Sequence, residues 1–167
     1  FAGRCGAAAE GGGDEQFAFG ALRSRSRVYD RVTAQRLLPI GISTLTQAFG
    51  HRMPNALTLE NAIANVEDAI MPAGQWLPPE ARALGSRDAL VGQLIQNATG
   101  LPHAQSASRE AVENLFSALA RQALQPGFHE LQLTQTAESA AALLILREAM
   151  HHWGMTEVLA IDAQPGD

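Results

Sequence analysis

Three stretches of this chain place an apolar side chain once per helical turn, and that rhythm restricts the fold to one assembled from packed helices. In the first, Leu59, Ile63, Val66 and Ile70 follow one another at spacings of four, three and four. Thr58 stands just ahead with a hydroxyl suited to an N-cap, and Pro72 ends the helix. In the second, Ser86 is read as the cap of a helix carrying Leu90, Val91, Leu94 and Ile95, closed by Gly100. The third starts at Ser106 or Ser108, turns Val112, Leu115, Phe116, Leu119 and Ala123 inward, and stops at Pro126-Gly127. Between the first two, residues 71–85 hold three prolines and two glycines around Trp76 and Leu77, which reads as a loop anchored by its tryptophan. A shorter helix over 41–49 would face Ile42, Leu45 and Phe49 to one side.

The period changes toward the C-terminus. Residues 129–134 alternate Leu131 and Leu133 with Gln132 and Thr134, the pattern of a half-buried strand. Thr136 then caps a helix over 137–153 that ends at Gly154, and residues 157–161 form a β-branched and aliphatic run read as a second strand. Strand, helix and strand in this length have the proportions of a parallel βαβ unit. Two strands make no stable sheet, so others must come from residues 17–45 or a second subunit. The expected class is therefore α+β, mainly helical in its first two-thirds, with a three-layer α/β fold as the alternative. Residues 1–16, rich in glycine, read as a flexible tail, and residues 17–167 as a single globular domain.

No apolar run approaches the roughly 18–20 residues that span a bilayer, so no membrane association is expected. The single Cys5 forbids an internal disulfide and, with no signal-peptide pattern, points to the cytoplasm. All 12 basic residues are arginine. Lysine chemistry is thereby excluded: no Schiff base, no lysine-anchored pyridoxal group, no P-loop lysine on a phosphate. The arginine, alanine and glycine bias suits a GC-rich, bacterial genome. A net charge of −5 argues against nucleic acid, whose binding needs a basic field.

Four groups of residues carry chemistry. Glu148 with His151 and His152 has the helical Glu-x-x-His spacing of carboxylate metal centres. No second Glu-x-x-His accompanies it, and histidines favour the negative end of a helix. No metal or other cofactor is therefore expected. The edge beyond the C-terminal strands gathers Thr134, Gln135, Thr136 and Asp162, groups able to hold a small polar ligand at a helix N-terminus. In the turn at 50–55, His51 and Arg52 have the makings of an acid/base and an anion clamp, with Glu60 and Glu67 on one face of the following helix to assist. Arg23, Arg25 and Arg27 share one face of an extended segment and suit an anionic ligand or an acidic helix on a partner.

Two functions follow as expectations. Charge segregation, with no strong catalytic signature, favours a self-associating assembly or accessory protein, a homo-oligomer. The other is a small-molecule enzyme centred on His51, Arg52, Glu60 and Glu67. The residues alone leave open whether the chain is an enzyme.

Overall fold

The computed structural model describes residues 20–22, 38–125, 127 and 136–161. In chain order these form β1 (Gly20–Leu22), α1 (Ile42–Ala48), α2 (Ala56–Ile70), β2 (Ala83–Ser86), α3 (Ala89–Thr99), β3 (Ser106–Ser108), α4 (Arg109–Leu124), α5 (Ala137–His152) and β4 (Glu157–Ala160). A 3₁₀ turn over Met71–Trp76 follows α2. The class is α+β. Among the described residues no helix is long and apolar enough to cross a membrane.

The periodic stretches are helices, and their apolar stripes face a common interior. Val66 and Ile70 of α2, Val91 and Ile95 of α3, and Leu119 of α4 are completely buried, as Leu45 of α1 nearly is. Two helix starts differ from expectation. The α2 cap is Asn55, not Thr58. The Asn55 carboxamide accepts the Thr58 N–H at 2.9 Å while the Thr58 hydroxyl accepts the Asn55 N–H at 3.0 Å, a reciprocal box in which Thr58 is the third helical residue. The α3 cap is Asp88, which accepts the Leu90 N–H at 2.8 Å. Ser86 lies two residues earlier, in β2. Ser108 and Thr136 do cap α4 and α5, and Gly100 ends α3 at φ +69°, where a side chain would be strained.

The sheet runs β1-β2-β4-β3, with β2 and β4 parallel and the outer pairs antiparallel. β1 thus supplies a strand from the 17–45 stretch. The parallel partner of β4 is β2, whose first three residues lie in the segment read as loop and whose last is Ser86, read as a helix cap. Residues 129–134 lie outside the described residues, and both edges of β4 are taken by β2 and β3. The crossover into β4 therefore runs from β2 through α3, β3, α4 and α5.

α5 is the centre of the molecule. It contacts α1, α2, α3 and α4, and Ala141, Ala142, Leu143, Leu144, Leu146, Ala149 and Met150 around its circumference are all inaccessible. A helix apolar on every side belongs inside a core, where each buried leucine contributes about 2 kcal/mol. The alanines of its first half let neighbouring helices approach. Within this environment stands one ionisable side chain, Glu148, with no exposed surface.

Candidate metal centre

The last two turns of α5 carry Arg147, Glu148, His151 and His152, and two neighbouring helices each bring a carboxylate to them. The carboxylate of α2 is Glu67. The end of α2 is tied to the end of α5 where the Trp153 indole N–H donates to the Ile70 carbonyl at 3.0 Å. Gly74 accommodates that ring, since a Cβ there would stand 3.3 Å from Trp153 Cδ1. This alignment leaves Glu67 Oε1 3.4 Å from His152 Nε2. The carboxylate of α4 is Glu113, whose Oε1 lies 3.7 Å from His151 Nδ1.

Glu148 lies between the two. Its Oε1 accepts a hydrogen bond from the Arg147 guanidinium at 2.5 Å, and Arg147 Nε donates to Glu113 Oε2 at 2.9 Å. Its Oε2 points the other way, 3.4 Å from His152 Nε2. Neither Glu148 Oε2 nor His152 Nε2 has a hydrogen-bond partner among the described residues, although both atoms are buried. A buried acceptor left without a donor costs about 1–3 kcal/mol, more when charged. Such a cost is retained where the group has another task. Burial works against the Arg147 charge, yet hydrogen bonds and attraction from Glu113 and Glu148 outweigh it and hold its pKa above the ordinary arginine value.

One ligand atom from each of Glu67, Glu148 and His152 lies within 4.8 Å of the others. Ligands at about 2.1 Å from a tetrahedral ion stand about 3.4 Å apart, and both separations from His152 match that edge. One imidazole with two carboxylates is a donor set for Zn²⁺, Mn²⁺, Fe²⁺ or Co²⁺.

The other sequence-predicted residues are not gathered here. His51 and Arg52 are exposed in the turn after α1, with His51 at φ +56° and its backbone N–H bonded to the Thr46 carbonyl. Glu60 is exposed on α2. Among the described residues no hydrogen bond or ion pair joins the His51 or Arg52 side chain to Glu60 or Glu67. Glu67 instead faces His152. Thr136 serves as the α5 cap, its hydroxyl accepting the Ser139 N–H at 3.1 Å. Arg23, Arg25, Arg27, Thr134, Gln135 and Asp162 lie outside the described residues. Of the Glu148, His151 and His152 group, Glu148 and His152 share the cluster while His151 turns to Glu113. The expectation of no metal rested on the missing second Glu-x-x-His; the residue of α2 that stands beside His152 is a lone glutamate, Glu67. Arg147 and Glu113 were not anticipated, and the one sequence signal for them is a charged pair, Arg147-Glu148, inside an apolar run.

No protein-family model matches the chain, and no curated protein matches it either.

Proposed function

We propose that this protein binds one first-row divalent transition-metal ion through Glu67, Glu148 and His152. The observation that carries the reading is the fully buried Glu148 carboxylate, whose Oε2 faces His152 Nε2 without a hydrogen bond. Formal charge supports a dication. Glu67, Glu113 and Glu148 contribute −3 and Arg147 contributes +1, leaving −2 with neutral histidines, which a divalent ion brings to zero. Three protein ligands leave at least one coordination position for water or a small oxygen-donor molecule, the arrangement of a reactive rather than a closed structural site.

Cobalt provides the test, because Co²⁺ in such a site absorbs visible light. Metal-free protein titrated with Co²⁺ is expected to develop that band and to lose it in Glu148→Gln and His152→Ala. Absence of the band in the parent protein, or its persistence in both variants, overturns the reading.

Self-association is a separate proposal compatible with metal binding. Glu60 and Asp68 are exposed on α2 and available to the arginine segment of a second copy. A light-scattering mass that rises with concentration, and falls to the monomer when Arg23, Arg25 and Arg27 become Ser, supports it. A strict monomer removes it.

A further inference from the structure

We infer that Arg147 sets which ion this centre prefers: by holding one oxygen of Glu148 it leaves that carboxylate a single oxygen for the metal, and so favours four-coordinate Zn²⁺ over six-coordinate Mn²⁺. The inference rests on the metal-binding reading above and chooses among the ions that its donor set admits. It comes from the unequal circumstances of the two Glu148 oxygens. Oε1 accepts a hydrogen bond from the Arg147 guanidinium at 2.5 Å. Oε2 has no hydrogen-bond partner among the described residues and stands 3.4 Å from His152 Nε2. Arg147 is itself anchored twice more. Its Nε donates to Glu113 Oε2 at 2.9 Å, and its guanidinium carbon lies 5.2 Å from the Phe116 ring centroid.

A carboxylate binds an ion through one oxygen or chelates it through both. Zn²⁺ is satisfied by four ligands. Mn²⁺ takes six, drawn by preference from carboxylate and water oxygens. One atom from each of Glu67, Glu148 and His152, with one water, completes the four positions of Zn²⁺. Six positions require several waters or the second oxygen of Glu148. Burial opposes the waters, since Glu148 has no exposed surface and the His152 side chain is 21% exposed. Arg147 opposes the second oxygen, because the ion could take Oε1 only by displacing a charged donor from it. Arg147 acts through Glu148 and is thus a positioning residue.

Donor type alone ranks Zn²⁺ above Mn²⁺, so the test is how the ratio of their Kd values changes when the donors stay and Arg147 is removed. In Arg147→Met the cluster loses one positive charge, which strengthens binding of both dications alike and cancels in the ratio. The substitution also frees Oε1 to chelate, which favours Mn²⁺. Mn²⁺ binding is read from the electron-spin-resonance signal of the free ion, and Zn²⁺ binding from displacement of Co²⁺. From parent to variant the Mn²⁺-to-Zn²⁺ ratio of Kd values is expected to fall about tenfold, and the Co²⁺ band to weaken as the coordination number rises. A ratio that rises, or stays within about twofold, overturns the inference and leaves Arg147 acting by charge alone. Should Arg147→Met fail to fold, the parent decides. Bound Co²⁺ is expected to show the intense visible absorption of four-coordination, and the weak absorption of six-coordination overturns the inference. Failure of the parent to bind any of the three ions overturns instead the metal-binding reading, so the two failures are distinct.

Discussion

Substituting Arg147 by methionine separates the charge of this residue from its bulk. The methionine stem retains packing against Phe116, over which Arg147 lies. What it cannot supply is the cation beside Glu148, a carboxylate with no exposed surface whose Oε1 is held by Arg147 at 2.5 Å. Removing one partner of a buried ion pair costs about 3–5 kcal/mol, because the remaining charge is stranded. The opposite substitution strands nothing. In Glu148→Gln the Arg147 side chain, 22% exposed, keeps Glu113 at 2.9 Å and still finds an amide oxygen beside it. The cost is the lost charge assistance, about 1 kcal/mol. The double variant Arg147→Met, Glu148→Gln has no unpaired buried carboxylate. It is therefore expected to be more stable than Arg147→Met alone by about 2 kcal/mol, which with the cost of about 1 kcal/mol for Glu148→Gln is a coupling of about 3 kcal/mol, at the upper end of the range for contacting pairs. Urea unfolding of the four proteins in the presence of a chelator measures this. Equal costs for the two single substitutions, or a double variant at the sum of both, would show that Arg147 is not what compensates Glu148.

Three further outcomes follow from the same geometry. Zn²⁺ at a free concentration 100-fold above its Kd is expected to stabilise the parent by about 2.7 kcal/mol, a melting shift of roughly 5–10 °C, and to leave Glu148→Gln unmoved in calorimetry. Asn55→Ala removes the box that starts α2 and is expected to cost about 1 kcal/mol by urea unfolding, with weakened metal affinity because the same helix carries Glu67. The Arg147 pKa is raised in the folded protein, so its stabilisation is fully present below the unfolded arginine value and is lost only above it. The stability gap between the parent and Arg147→Met is therefore expected to stay constant between about pH 8 and pH 10; a gap that closes across that window would mean another group supplies the charge.

The helical part of the fold is legible in the sequence because α2, α3 and α4 each have a wet face and a dry face, and the contrast repeats every turn. Helix starts are less so. Asn55 and Thr58 exchange hydrogen bonds in both directions, and either residue type is a good cap, so side-chain chemistry alone does not rank them. β2 is hidden for another reason. Ala83-Leu84-Gly85-Ser86 is short, made of small residues and preceded by prolines; it is a strand through its pairing with β1 and β4, and no local preference announces it. The site is harder still. α5 is apolar on every side, so periodicity cannot say which way Glu148 points or how deeply it lies. The Glu148 to His152 half of the centre is visible as a spacing. Its other half is a single glutamate among the acidic residues of α2, and only the packing of α2 on α5 selects Glu67 over Glu60 or Asp68.

The depth of Glu148 also predicts why it is there. Desolvating a carboxylate costs several kcal/mol, and Arg147 attends to only one of its two oxygens. A leucine at the same fully buried position, one helical turn from the buried Leu144, would carry no such cost. Buried ion pairs replaced together by apolar residues of similar volume leave a protein equally stable or about 1–4 kcal/mol more so. Arg147→Met with Glu148→Leu is accordingly expected to match or exceed the parent in metal-free urea unfolding, since Glu113, at 31% side-chain exposure, is left to solvent. The same variant is expected to bind no Co²⁺. A loss of more than about 1 kcal/mol in the metal-free protein would mean that the charged pair is retained for folding. Stability kept while binding is lost would mean that the core bears its carboxylate for the ion.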